Sequence, residues 1–296
     1  MPSRSTSSPQ NGLPFAIGCY IIWGLLPLYL RQVHDVPALE FVGWRTLFTL
    51  PVCLVLIIAL RQGPALRLAL RQPKTMLWLA CSAILIFGNW LTYVIAIQQG
   101  HVFASSLGYY INPLVNVLLG TMFLGERLGR AQWVAVGLAA LGVAILAAGA
   151  GATLGISLAL AATFSLYGLV RKQVAVAPLP GLAIETAILT LPAIALVWFG
   201  HGPQGVTLTG WNAHSLLIAA AGIVTAVPLV LFAYAAQRMD YSLLGFVQFI
   251  APTIVFFLGL FLFHEALRPV QLGCFVLIWL ALAVFCWDLW QKRKAA

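Results

Sequence analysis

The residues with chemical potential concentrate in one stretch, Ser105 to Gln132, which reads SSLGYYINPLVNVLLGTMFLGERLGRAQ. Ser105, Tyr109, Asn112 and Asn116 recur at intervals of four, three and four, so a helix there carries hydroxyls and amides in one continuous stripe. In apolar surroundings such a stripe turns away from lipid. Asn89 and Tyr93 are four apart and share a face of the preceding segment, with Trp90 beside them; they either bond neighbouring helices or line a polar cavity. Arg45 and Glu185 are charges set inside apolar runs. An arginine at mid-bilayer carries a penalty of ~2.5–3.5 kcal/mol, so it normally faces the bundle interior and meets a partner or an anionic ligand. Trp23, Tyr167, Tyr234, Gln248 and Thr253 complete the set expected toward the centre. The chemistry this set supports is reception of a small molecule. Arg45 would take a carboxylate, the faces of Trp23, Trp90 and Tyr109 an apolar body, and Glu185 would serve as proton carrier or counter-charge.

Other chemistries lack their residues. There is no H-E-x-x-H, G-x-S-x-G or paired acid for an intramembrane enzyme, and no nucleotide-binding loop for ATP-driven work. The five cysteines fall inside apolar runs without ligand spacing and read as packing residues. The five histidines fall in or beside connections on one side and read as solvated. No metal and no cofactor is expected.

The elements that must position these side chains are membrane helices. A chain of 296 residues that is 62% hydrophobic and 8% charged cannot hide its apolar surface in one soluble core. Runs long enough to span occur ten times, at about 13–31, 38–60, 75–97, 103–124, 131–149, 152–170, 180–199, 213–236, 241–263 and 269–290. Thirteen basic residues then fall on one side of this topology, from Arg4 through Arg61, Arg127, Arg171 and Lys172 to Lys294, against Arg31 and Arg268 on the other. Basic loops stay in the cytoplasm, so both termini are expected there, and the net charge of +9 needs no nucleic acid. Glu40, at the outer interface, reads as solvated. Ala140, Ala144 and Ala148 read as a close-packing face.

The chain also repeats itself. Pro113, Glu126 and Gln132 recur as Pro252, Glu265 and Gln271 at an offset of 139 residues, and Gln32, Pro37 and Pro51 recur as Gln173, Pro178 and Pro192 at 141. The expected organisation is an all-α membrane protein of ten transmembrane helices in two five-helix repeats, residues 1–150 and 151–296. Because five is odd, the second repeat enters the bilayer from the opposite side and the repeats are inverted. Prolines 27, 51, 113, 192, 228 and 252 supply bends, and Pro252 should loosen the carbonyl of Gln248 as Pro113 should loosen that of Tyr109.

Residues NWLTYVIA (89–96), SSLGYYINPLVNVLLG (105–120) and FLGERL (123–128) resemble the EamA family of the drug/metabolite transporter superfamily, and its RarD branch in particular. The resemblance implies an inner-membrane carrier of small metabolites or drugs, in a branch commonly labelled as chloramphenicol-sensitive or chloramphenicol-resistance permeases. Small four-helix relatives that export cationic drugs keep a carboxylate in their first helix, and neither the first span here nor the sixth has one. The expectation is a secondary transporter, monomeric or homodimeric, that passes an amino-acid-like metabolite or drug through a midplane cavity by alternating access. The competing reading is a membrane scaffold or assembly factor with a vestigial cavity.

Overall fold

The computed structural model describes residues 12–99, 101–203, 205–208, 210, 212–264 and 269–295. Glu265, Arg268 and Arg4 lie outside them. The described residues form helices and contain no β-strand, only an isolated bridge between Gly202 and Gly205. In order these are α1 (Leu13–Leu30), α2 (Ala38–Ala59), α3 (Gly63–Leu70), α4 (Pro73–Gln98), α5 (Val102–Phe123), α6 (Arg130–Ala147), α7 (Leu154–Gln173), α8 (Pro178–Ile188), α9 (Thr190–Gly200), α10 (Ala213–Arg238), α11 (Tyr241–Gln248), α12 (Ile250–Phe261) and α13 (Pro269–Ala295). Proline in the first turn starts α1, α3, α4 and α8, where its missing N–H has no intrahelical partner to lose.

Among the described residues eight helical stretches are long and apolar enough to cross a bilayer, nine if the bent pair α8–α9 is one crossing. The ten expected crossings are therefore met in part. α5 is not among the nine.

Two helices break where proline requires it. Proline clashes with the carbonyl four residues earlier; α8 ends at Ile188, four before Pro192, with a 50° bend into α9, and α11 ends at Gln248, four before Pro252. Pro51 and Pro113, their counterparts in the first half, stay within continuous helices, as do Pro27 and Pro228. The basic stretch after α2 is not a plain loop but holds α3, whose Leu66 and Ala69 pack against Val174, Val176 and Ile184 while Arg67 stays exposed.

α6 and α13 pack on each other beside the bundle, joined to it through α5 and α11. The close-packing face of α6 is not Ala140, Ala144 and Ala148, two of which are exposed. It is Ala135, Ala139, Gly142 and Leu146, roughly a third of a turn away. Gly142 sets it: a Cβ there would stand 3.0 Å from the Cys274 carbonyl oxygen. Gly245 does the same for α11 on α5, with the Pro113 carbonyl oxygen 2.7 Å from where its Cβ would be.

The repeated glutamate and glutamine are architectural in the copy that is described. Glu126 reaches the start of α11, where Oε1 accepts from Tyr241 N–H at 2.6 Å and Oε2 from Ser242 N–H at 2.8 Å and Ser242 Oγ at 2.7 Å. A carboxylate there satisfies orphan donors and meets the positive end of the helix dipole. Burial, with the same carboxylate adding to it, pushes the nearby Asp240 carboxyl above its usual range. Gln132 Oε1 accepts from Gly129 N–H at 2.8 Å and caps α6. Hydrogen bonds to a charged group contribute about 1.5–3 kcal/mol, so Glu126→Ala should lower the melting temperature of the detergent-purified protein by several degrees. Arg127→Ala, at an exposed neighbour, should leave it in place.

Candidate functional site

Arg45 lies on α2 two turns from its start. Its guanidinium carbon stands 4.3 Å from the centroid of the Trp90 ring, and its Nε donates to Thr225 Oγ1 on α10 at 3.3 Å. No carboxylate pairs with it among the described residues. The ionisable side chains within its electrostatic reach are the tyrosines Tyr109, Tyr29 and Tyr93. Tyr93 and Tyr109 meet edge to face at 5.9 Å, joining α4 to α5. Tyr109 stays 46% exposed although it stands in the middle of this group. The result is a cation held on one aromatic face, ringed by phenols, with donors left over.

Of the fourteen residues expected toward the centre, the structure brings together Arg45, Trp90, Tyr93 and Tyr109, and adds Thr225 and Tyr29. Tyr29 donates to the Leu217 carbonyl at 2.8 Å. Neither addition was signalled by spacing: Thr225 is 180 residues from Arg45 in sequence.

Glu185 is elsewhere. It is 1% exposed and pairs with Arg171, which is fully buried, at 3.4 Å; Ser82 Oγ also donates to the same oxygen. Arg171 is anchored further by its Nη2 on the Pro178 carbonyl at 2.8 Å. Arg171 therefore does not behave as a solvated loop charge. The expected span stopped at residue 170, whereas α7 continues to Gln173 and carries Arg171 into the packed end. Glu40 corrects a second expectation: it is fully buried, accepting from Trp44 Nε1 at 2.9 Å, Thr207 N–H at 2.7 Å and Thr207 Oγ1 at 2.9 Å. It ties the 201–212 connection to the start of α2.

The rest of the stripe faces protein and, apart from Ser105, its polar groups bond other helices. Asn89 donates to the Leu160 carbonyl at 2.9 Å and to Thr163 Oγ1 at 3.0 Å on α7, bonding a neighbouring helix. Asn112 accepts from Ser165. Asn116 donates to Gln248 Oε1 at 2.9 Å across the α5–α11 contact. Ser105 donates back to the His101 carbonyl at 3.2 Å. Trp23 and Tyr167 belong to an aromatic cluster with Tyr20, Phe164 and Phe232, and Tyr234 stacks on Phe15 beneath Arg238. Thr253 accepts from Trp279 Nε1 at 3.3 Å. His214 is not simply solvated: its Nε2 lies 3.1 Å from Asp35. A cleft of about 300 Å3 at the 208–215 connection is lined by Phe48, Leu208, Gly210 and Ser215; apart from Phe48, one turn from Arg45, it shares nothing with the Arg45 group.

The model of the EamA-like transporter family matches the chain twice, over residues 10–148 and 153–287. An uncharacterized transporter of Pseudomonas aeruginosa is 43% identical, covering 98% of both chains. A protein named RarD from Escherichia coli is 42% identical over 97% of this chain and 98% of its own. A more distant relative of Pseudomonas aeruginosa, named chloramphenicol-sensitive protein RarD, is 29% identical over 94% of each chain. A solved structure superposes with a TM-score of 0.73 over 94% of this chain and 98% of its own; at 22% identity it shares the fold.

The two arginines should separate in a stability measurement. Removing one partner of a buried pair costs about 3–5 kcal/mol, so Arg171→Ala should lower the unfolding midpoint sharply, and the double variant Arg171→Met with Glu185→Leu should recover most of it. Arg45→Ala should stay near the parent, because the lost stacking, about 0.5–2 kcal/mol, is offset by removal of an unpaired charge.

Proposed function

The chain belongs to the EamA-like transporter family, and from that premise we propose that it is a secondary transporter of small molecules bearing a carboxylate and an apolar body. Amino-acid-like metabolites and drugs fit this description. The observation that carries the reading is the unpaired guanidinium of Arg45. Stacking on Trp90 returns about 0.5–2 kcal/mol, against an insertion penalty of ~2.5–3.5 kcal/mol. A carboxylate bound in a bidentate way supplies the difference, and Trp90, Tyr93 and Tyr109 give its apolar part a surface.

Alternating access follows from two inverted five-helix repeats, residues 1–150 and 151–296, in the inner membrane with both termini cytoplasmic. Several observations support the repeats. The family model fits twice. Trp23 and Phe164, 141 residues apart, meet at 5.5 Å. Ala135, Ala139 and Gly142 are buried on α6, as are Cys274, Ile278 and Ala281, each 139 residues later, on α13. With α5 as a crossing lined by protein, the nine apolar crossings become ten.

The rocking bodies are not the sequence halves. α1 packs on α10, α11 and α12, while α7 packs on α4 and α5, so each body mixes helices of both repeats. The breaks after Ile188 and Gln248 supply hinges, and the Arg45 group, between the bodies, is the binding position. Ion or solute gradients drive the cycle.

A thermal-shift comparison tests the site. A ligand at a hundred times its Kd stabilises the folded form by about 2.7 kcal/mol. Phenylalanine and phenylacetate should therefore raise the melting temperature of the native protein, phenethylamine should not, and Arg45→Ala should lose the response. Equal responses to acid and amine, or an unchanged response in Arg45→Ala, reject the reading and favour a scaffold. Topology is tested separately: thiols introduced as Gln32→Cys and His201→Cys should label from outside intact cells, and Arg61→Cys and Arg127→Cys only after permeabilisation.

A further inference from the structure

The transporter reading leaves one buried charged cluster without a role, and the inference here rests on that reading but on residues separate from Arg45. Glu185 stands in the last turn of α8; its carbonyl accepts from Leu189 N–H at 3.1 Å, immediately before the 50° bend into α9. Its Oε1 accepts from Ser82 Oγ and from Arg171 Nη1, while among the described residues Oε2 has no hydrogen-bond partner, and neither has Arg171 Nε. A purely structural pair buried to this extent would be expected to use those atoms.

The surroundings add little charge. Besides Arg171, the ionisable groups within reach of Glu185 are Tyr167 on α7 and Cys53 on α2. α4 contributes Ser82, α3 keeps Arg67 exposed, α9 has no ionisable side chain, and α10 presents Gln237, whose amide donates to the Arg171 carbonyl at 3.1 Å, while Arg238 stacks on Phe15 and Tyr234.

We propose that Glu185 is the site at which the protein takes up and releases a proton in its transport cycle, with Ser82 as hydrogen-bond partner of both forms and Arg171 as the positioning charge. The hydroxyl of Ser82 has one hydrogen and two acceptors, Glu185 Oε1 and the Leu79 carbonyl at 3.0 Å. With Glu185 ionised, that hydrogen points at the carboxylate. When Oε1 takes a proton, the new O–H donates to Ser82 Oγ, and the Ser82 hydrogen turns to the Leu79 carbonyl. The Ser82 hydrogen and the carboxyl proton each have an acceptor in the state that holds them.

One proton enters and one leaves per cycle, exchanged with water when this end of the bundle opens, and the cluster alternates between neutral and singly positive. Protonation also cancels the charge that Arg171 faces. The guanidinium then remains buried with only the Pro178 carbonyl, an arrangement that strongly disfavours the closed form. Because Arg171 ends α7 and Glu185 adjoins the α8–α9 bend, the strain is relieved by opening at that end. Proton occupancy and opening become linked, as gradient-driven transport requires.

Infrared difference spectra between acid and alkaline buffer, taken on the protein in phosphatidylethanolamine–phosphatidylglycerol vesicles, read the protonated carboxyl directly. The expected result is a carbonyl stretching band of a sequestered carboxylic acid that disappears in Glu185→Gln, persists in Glu40→Gln and shifts in Ser82→Ala. Cys53 reports opening in a chain carrying Cys19→Ala, Cys81→Ser, Cys274→Ala and Cys286→Ser: at one pH, N-ethylmaleimide should label it several-fold faster in Glu185→Gln than with Glu185 present. A band that survives Glu185→Gln, a band indifferent to Ser82→Ala, or equal labelling rates overturn the proposal. Ser82→Ala retains the ion pair and keeps the test valid if Glu185→Gln does not fold. Neither readout involves Arg45, so failure here leaves the carboxylate reading standing, and a failed carboxylate screen leaves this one.

Discussion

Every polar group carried into the bilayer must find its partner within the chain, because lipid offers none. Here many of the partners lie across the two halves of the sequence. Asn89 bonds the Leu160 carbonyl, Asn112 meets Ser165, Asn116 meets Gln248, Ser157 bonds the Ala104 carbonyl, and Glu126 holds Tyr241 and Ser242. Glu40 with Thr207 and Arg45 with Thr225 continue the pattern. Neither half could satisfy its amides and carboxylates alone. The polar stripe that first looked like a cavity lining is for the most part what joins one half to the other.

That demand separates the two intramembrane arginines. Arg171 is enclosed by a carboxylate, a backbone carbonyl and packed helix ends, so its charge is matched within the protein. Arg45 has an aromatic face and one threonine, and the tyrosines near it are neutral phenols unless they give up a proton. Among the described residues the fold leaves this charge without a carboxylate, and Tyr109 beside it is 46% exposed; the proposed carboxylate ligand answers both features.

Much of this architecture was legible in the sequence because it depends on local rules. Apolar runs of spanning length mark the helices, an offset of 139 residues marks the duplication, and the proline clash places the breaks after Ile188 and Gln248. Arg45 also announces itself, since a charge inside an apolar run needs a reason. What could not be read was pairing at long range. Glu40 looks like an interfacial acid until Thr207, 167 residues away, folds over it. Arg171 looks like a loop charge because the apolar run stops one residue earlier while the helix does not. The packing face of α6 was misread because alanines lie on several of its faces, and the choice among them is made by the Cys274 carbonyl on α13.

The difference between the two proline pairs points to where motion belongs. Pro51 and Pro192 are repeat mates, as are Pro113 and Pro252, yet only the second-half members interrupt their helices. An exact pair of inverted repeats would break both or neither, so a single conformation of an alternating pair has to carry the asymmetry somewhere. The broken helices sit beside the Glu185 pair and the Asn116–Gln248 contact; the unbroken α2 and α5 carry Arg45 and Tyr109. If the opposite state exchanges these roles, the bends would move into α2 and α5 at Pro51 and Pro113, and the Arg45 group would deform as the Glu185 end straightens. Under the proposed cycle, Arg45 and the buried Glu185 would then sit on helices whose bends alternate, which would let each bias the other without direct contact.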